Sequence, residues 1–141
     1  MRRYVVWLSI AISVFIAASG CSQPAGNIVV GLDEEFVLSV GQSATLTGED
    51  LTIEFVEVVS DSRCPSGATC IWAGEASCLI EITRADSIFS KVLTQLGSSS
   101  PNKANFTGYE IAFEVQPYPQ LGKEIAATDY RLQLTVSKTP A

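Results

Sequence analysis

The chain has 141 residues, of which 47% are hydrophobic and 17% charged. That is enough apolar material for one domain of ordinary size and too much for a disordered polar chain. Asp and Glu number 15 against 9 Lys and Arg, a net charge of −6, and there is no histidine. The missing imidazole excludes Ser-His-Asp and Cys-His nucleophiles and His-ligated metal sites, and the acidic balance argues against a nucleic-acid partner.

Met1-Arg2-Arg3 is a short positive segment, followed by an apolar run from Tyr4 to Ala18 that only Ser9 and Ser13 interrupt. Small residues then lead to a cysteine, Ala18-Ser19-Gly20-Cys21. Charge, apolar stretch and small-residue exit make a secretory signal. The run is short of the roughly 20 residues a spanning helix needs. The segment resembles the lipobox of bacterial lipoproteins. The resemblance implies cleavage before Cys21, a thioether-linked diacylglycerol on Cys21 and usually an N-acyl chain such as palmitate. The alternatives are a cleaved signal without lipid and an uncleaved signal anchor. Ser22, in place of Asp, implies the outer membrane by analogy with Gram-negative sorting. Removal of Arg2 and Arg3 with the signal leaves seven basic residues against 15 acidic, with no polybasic patch to hold anionic lipid. Acyl chains would therefore provide the attachment, at about 0.8 kcal/mol per buried CH₂.

Ser22 to Asn27 is polar and small and reads as a tether. Ser22 to Gly31 reach at most about 35 Å when extended. The expected layout is a signal over 1–20, a lipidated N-terminus and tether over 21–31, and a β-domain over 32–138.

From Glu35 onward apolar residues recur with period two. Phe36, Leu38 and Val40 come first, then Ala44 and Leu46 after a Gly41-Gln42 turn. Leu51, Ile53 and Phe55 alternate cleanly, but Val56-Glu57-Val58 continues on the opposite parity, which predicts a bulge near Phe55–Val56. Ala76, Cys78, Ile80 and Ile82 share one face, and Ile88 to Leu96 is extended with a weaker pattern. Gly97 to Lys103 reads as a polar surface loop. Tyr109, Ile111, Phe113 and Val115 alternate, as do Tyr130, Leu132, Leu134 and Val136. Between them, Pro117 and Pro119 exclude a central strand from Gln116 to Gly122. About seven short strands without an amphipathic helix predict an all-β fold, a single antiparallel β-sandwich with one small disulfide loop. Asp129-Tyr130-x-Leu-x-Leu resembles the start of a strand in immunoglobulin-like sandwiches, where a tyrosine hydroxyl ties back to the backbone. An ordinary half-buried tyrosine is the alternative.

One stretch concentrates chemistry: Asp61-Ser62-Arg63-Cys64-Pro65-Ser66-Gly67-Ala68-Thr69-Cys70-Ile71-Trp72-Ala73-Gly74-Glu75. In an exported protein Cys64 and Cys70 default to a disulfide. So small a loop gains only about 2 kcal/mol on the chain-entropy model, so its main effect is to fix the shape of a turn. Two thiolates without His leave a metal site half built, and five intervening residues do not suit dithiol catalysis. Neither metal nor other cofactor is expected. Cys78 is then left over, facing the core as an inert thiol rather than a functional one. The run Asp-Ser-Arg-Cys-Pro-x4-Cys-x-Trp-x-Gly resembles a motif recurring in small bacterial lipoproteins and secreted domains. The likeness extends thinly through Tyr109-x-Ile, Pro117-x-Pro119 and Tyr130-Arg131, with Cys78 outside it. It implies an exported β-domain and brings no activity.

Three function classes compete. The first is a non-catalytic binding or envelope-structural module, anchored in the bacterial cell envelope by lipid and facing an unknown envelope protein or ligand. Arg63, Pro65 and Trp72 would be its contact residues, since Arg and Trp are enriched at binding hot spots. The second is a proteinase inhibitor presenting Arg63 on the stapled loop. The third is an enzyme using Asp61 and Glu75 as paired carboxylates. Against the last two, Arg63 can pair internally with Asp61 or Glu75. Most other acids, such as Glu54, Glu81, Glu110 and Glu114, occupy outward strand positions. The first class is the one expected.

Overall fold

Alternating apolar residues bury one face of an extended strand, and two such faces placed together make a core. The computed structural model describes residues 26–97 and 101–140. The expected signal, Cys21 and the start of the tether lie outside the described residues. The strands are β1 (Asn27–Val30), β2 (Glu35–Ser39), β3 (Ser43–Leu46), β4 (Leu51–Asp61), β5 (Glu75–Arg84), β6 (Ser87–Leu96), β7 (Asn102–Phe106), β8 (Tyr109–Gln116) and β9 (Arg131–Lys138). A 3₁₀ turn over Ala127–Asp129 precedes β9. Among the described residues there is no α-helix.

One sheet has the order β1-β3-β4-β5-β6 and the other β2-β9-β8-β7. Their inner faces carry the residues that the alternation marked, including Leu38, Ile53, Phe55, Ile80, Ile111 and Leu132, all fully buried. Each such side chain stabilises the fold by roughly 1.5–3 kcal/mol. The protein is an all-β sandwich. Among the described strands the pairings are antiparallel except for β1 on β3, which is parallel. The strand order is not that of an immunoglobulin domain. In the constant type of that domain no more than two consecutive strands share a sheet; here β3, β4, β5 and β6 follow one another in a single sheet.

Two strands lie where loop was expected. Asn27–Val30, the far end of the expected tether, is β1: Val30 is buried, Ile28 packs on the core, and the Asn27 side chain donates to Thr45 Oγ1 at 3.0 Å. Asn102 and Lys103, read as loop, begin β7. The reason lies further along, in the Thr107-Gly108 turn, whose two positive φ angles of 34° and 85° suit a tight hairpin and commit 102–106 to pair with 109–113.

The sandwich has two poles. At one, Glu49 accepts from the Tyr109 hydroxyl at 2.5 Å and pairs with Lys138 at 2.7 Å. At the other, Asp61, Glu75, Leu96, Gln116 and Arg131 end or begin their strands, and the loops between them hold the Asp61–Glu75 motif.

Candidate functional site

The site begins with two bulges in β4. Phe55 pairs with Ile80 but Glu57 with Leu79, so Val56 is the extra residue that the parity switch predicted. Val58 then pairs with Cys78 and Ser60 with Ser77, leaving Val59 extra as well. Each bulge changes which parity points inward, a common way of re-aiming a side chain. After the second, Asp61 sits opposite the buried Ala76 and shares its inward face.

An inward carboxylate needs a partner. Arg63 supplies it, with Nε donating to Asp61 Oδ1 at 2.8 Å and Nη2 to Oδ2 at 2.6 Å. Nη1 donates to the Val115 carbonyl at 2.7 Å and Nη2 also to the Pro117 carbonyl at 3.0 Å. The Tyr118 ring lies 5.1 Å from the guanidinium. The Arg63 side chain has no exposed surface. It joins the end of β4 in one sheet to the end of β8 in the other. Tyr130 adds a hydroxyl donated to Asp61 Oδ2 at 3.2 Å. Burial pushes the Asp61 carboxyl up, but the Arg63 and Tyr130 hydrogen bonds outweigh it and hold the group below its ordinary range. Burial and the neighbouring Asp61 carboxylate push the Tyr130 hydroxyl the other way.

Past Arg63 the chain continues the hairpin, with Ser62 N–H donating to the Glu75 carbonyl and Cys64 N–H to that of Ala73. Gly74 makes this approach possible: its φ is 71°, and a Cβ there would stand 1.9 Å from the Ser62 carbonyl oxygen. Cys64 and Cys70 form the expected disulfide, Cα atoms 5.9 Å apart. A second loop, 117–122, is zipped to the first. Ser66 N–H donates to the Pro119 carbonyl at 2.9 Å, Leu121 N–H to the Ser66 carbonyl at 3.1 Å, and the Tyr118 hydroxyl to the Cys64 carbonyl at 2.9 Å.

The geometry separates the expected contact residues. Trp72 is 63% exposed, as expected of a contact. Pro65 is half-buried, its carbonyl taken by the Ala68 N–H. Arg63 is the correction: buried and held at four points, it is the internal ion-pair partner and not a presented side chain. An inhibitor loop built on Arg63 would have to pull that side chain out of its pair with Asp61. The Tyr130 hydroxyl differs from the immunoglobulin pattern in meeting a carboxylate instead of backbone. Asp61, which the enzyme alternative would use together with Glu75, has both oxygens committed to Arg63 and Tyr130. Cys78 lies fully buried as expected, and burial pushes its thiol up to about 12.

Four participants did not emerge from the sequence. Tyr118 was only part of a Pro-rich loop. Gln95 is 1% exposed, and its side-chain oxygen accepts from Val115 N–H at 2.7 Å, next to the carbonyl that Arg63 takes. Its signal was its parity with Leu93, since both face inward opposite Ala76 and Cys78. Ile71, 106% exposed, and Leu121, 63% exposed, stand outward near Trp72's loop and its neighbour. Beside Tyr118 an open groove of ≈ 230 Å³ runs between Pro117 and Asp129, with Lys123 and Glu124 on its rim. Among the described residues no three His, Cys, Asp or Glu side chains converge as metal ligands do.

Comparison with protein-family models, with curated proteins and with solved structures finds no match to this chain.

Proposed function

We propose that this protein is a bacterial lipoprotein, held to a membrane of the cell envelope through lipid on Cys21, whose β-sandwich is a non-catalytic binding or structural module. The observation that carries the second half of the reading is the fate of the motif's charges. Asp61 and Arg63 neutralise each other inside the fold, so the motif encloses its Asp–Arg pair and leaves Ile71 and Trp72 exposed on a stapled loop. A rigid loop with an exposed aromatic suits contact, because little ordering entropy remains to be lost on binding. The anchor is supported by the run from Met1 to Cys21. The acidic chain offers no electrostatic substitute for it.

Fractionation tests the reading. Wild type should stay with membranes through a high-salt wash, and Cys21→Ser should appear in the soluble fraction. A Cys21→Ser variant that still sediments after the wash would contradict the anchor.

A further inference from the structure

We propose that the pole carrying Ile71, Trp72 and Leu121 sits in the headgroup layer of the same bilayer that holds Cys21, so that the loop tips are a second, non-covalent membrane contact. The proposal rests on the lipid-anchored reading above.

Exposure comes first. Three large apolar side chains stand outward on two loops that hydrogen-bond to each other, Ile71 and Trp72 on one and Leu121 on the other. They are not held out by slack chain. The Cys64–Cys70 disulfide, the Arg63 cluster and the Ser66–Leu121 bond fix the loops against the sandwich. Tryptophan and aliphatic side chains on a fixed tip suit the membrane interface, where an indole is half apolar and half wet. The opposite pole presents the Lys138–Glu49 ion pair.

The direction of the chain comes second. In β1, Asn27 pairs with Ser43 and Val30 with Leu46; in β3, Ser43 pairs with Glu54. The strand therefore runs away from the loop pole, and the chain before Asn27 leaves the sheet toward that pole. From the level of Asn27 to the loops, β4 has still to run from Glu54 to Asp61, about 23 Å at roughly 3.3 Å per residue and somewhat less with two bulges. From Cys21 to Asn27 the extended chain spans at most about 20 Å. At full extension the tether thus brings Cys21 to about the level of Asp61, at the base of the loops, and the tips, further out along the hairpin, project past Cys21 toward the bilayer. Reaching the other pole would require the chain to reverse.

Charge decides the kind of surface. With 15 acidic residues in the chain, an anionic leaflet repels it, so the occupant is a zwitterionic phospholipid surface. Lys123, two residues past Leu121 on the groove rim, can place its ammonium among phosphates while its stem lies on apolar surface.

The test uses the full lipidated chain carrying Trp7→Phe, which makes Trp72 the sole indole whether or not the signal is removed. The protein is reconstituted into phosphatidylcholine vesicles with or without acyl chains brominated near the headgroup. Brominated lipid should quench Trp72 and external iodide should lose its effect. Adding Ile71→Ser with Leu121→Ser should restore both to their values in solution while the protein still floats with the vesicles. Protein that floats while Trp72 stays open to iodide and blind to bromine would overturn the proposal and leave the anchor standing. That outcome would point to a protein partner at the tip. Failure to float would overturn the anchor, and the proposal with it.

Discussion

Arg63 keeps its charge inside the sandwich because Asp61 shares the same inward face, and removing either partner strands the other. A broken buried pair of this kind costs about 3–5 kcal/mol. Arg63→Ala is therefore expected to lower the melting temperature by many degrees in a thermal unfolding scan. Arg63→Lys should rescue little of it, since an ammonium cannot reach Asp61, Val115 and Pro117 with a planar fork. The Asp61 carboxyl is held below its ordinary value, so its contribution is present above about pH 4 and fades as pH falls below that through the folded-state value. The gap in melting temperature between wild type and Asp61→Asn should be constant near neutrality and narrow as pH falls below about 4. Both candidate roles of Arg63 were legible, contact from its place beside Cys64-Pro65 on the stapled loop and ion pair from its nearness to Asp61 and Glu75. The choice was not, because Asp61 faces inward only after the second bulge, and Val59 carries no sign of that bulge in its own sequence neighbourhood. A valine in a β-rich run fits either parity.

The same limit explains which strands were readable. β5, β8 and β9 bury every second residue between half-buried neighbours, and their alternation is visible without any partner. β1 and β7 are edge strands of four and five residues, too short for a period to repeat. β6 also lies at an edge, and Ile88, Val92 and Leu96 on its outer face are all exposed. Apolar residues on both faces blur the period, which hid Gln95. The hairpin that carries the site depends on one glycine. Gly74→Ala would drive a Cβ into the Ser62 carbonyl at a positive φ, with backbone on the other side of the clash. The expected result is loss of the folded hairpin, seen as a large fall in melting temperature. Reducing Cys64–Cys70 should cost only about 2 kcal/mol on the loop-length argument. The two effects should differ clearly in one unfolding series.

At the scale of the whole molecule, the sandwich is polarised. One end is closed by Glu49, Tyr109 and Lys138, and the other carries two loops locked by a buried ion pair and a disulfide. The all-β class and the core were legible because alternation and turn residues are local signals. The function was not, because the residues that look most reactive in sequence, Asp61 and Arg63 of the motif and the nearby Cys78, are the ones the fold encloses. Ile71 and Trp72 remain outward on the motif, and they lie at the end where β1 begins. That arrangement makes sense for a protein attached to a membrane at Cys21, and the attachment can be weighed directly. Intact mass spectrometry of the protein extracted from membranes should give a chain beginning at Cys21 and heavier than its sequence by a diacylglycerol and an acyl group. A chain still beginning at Met1, or one cleaved near residue 21 without added lipid, would contradict the account.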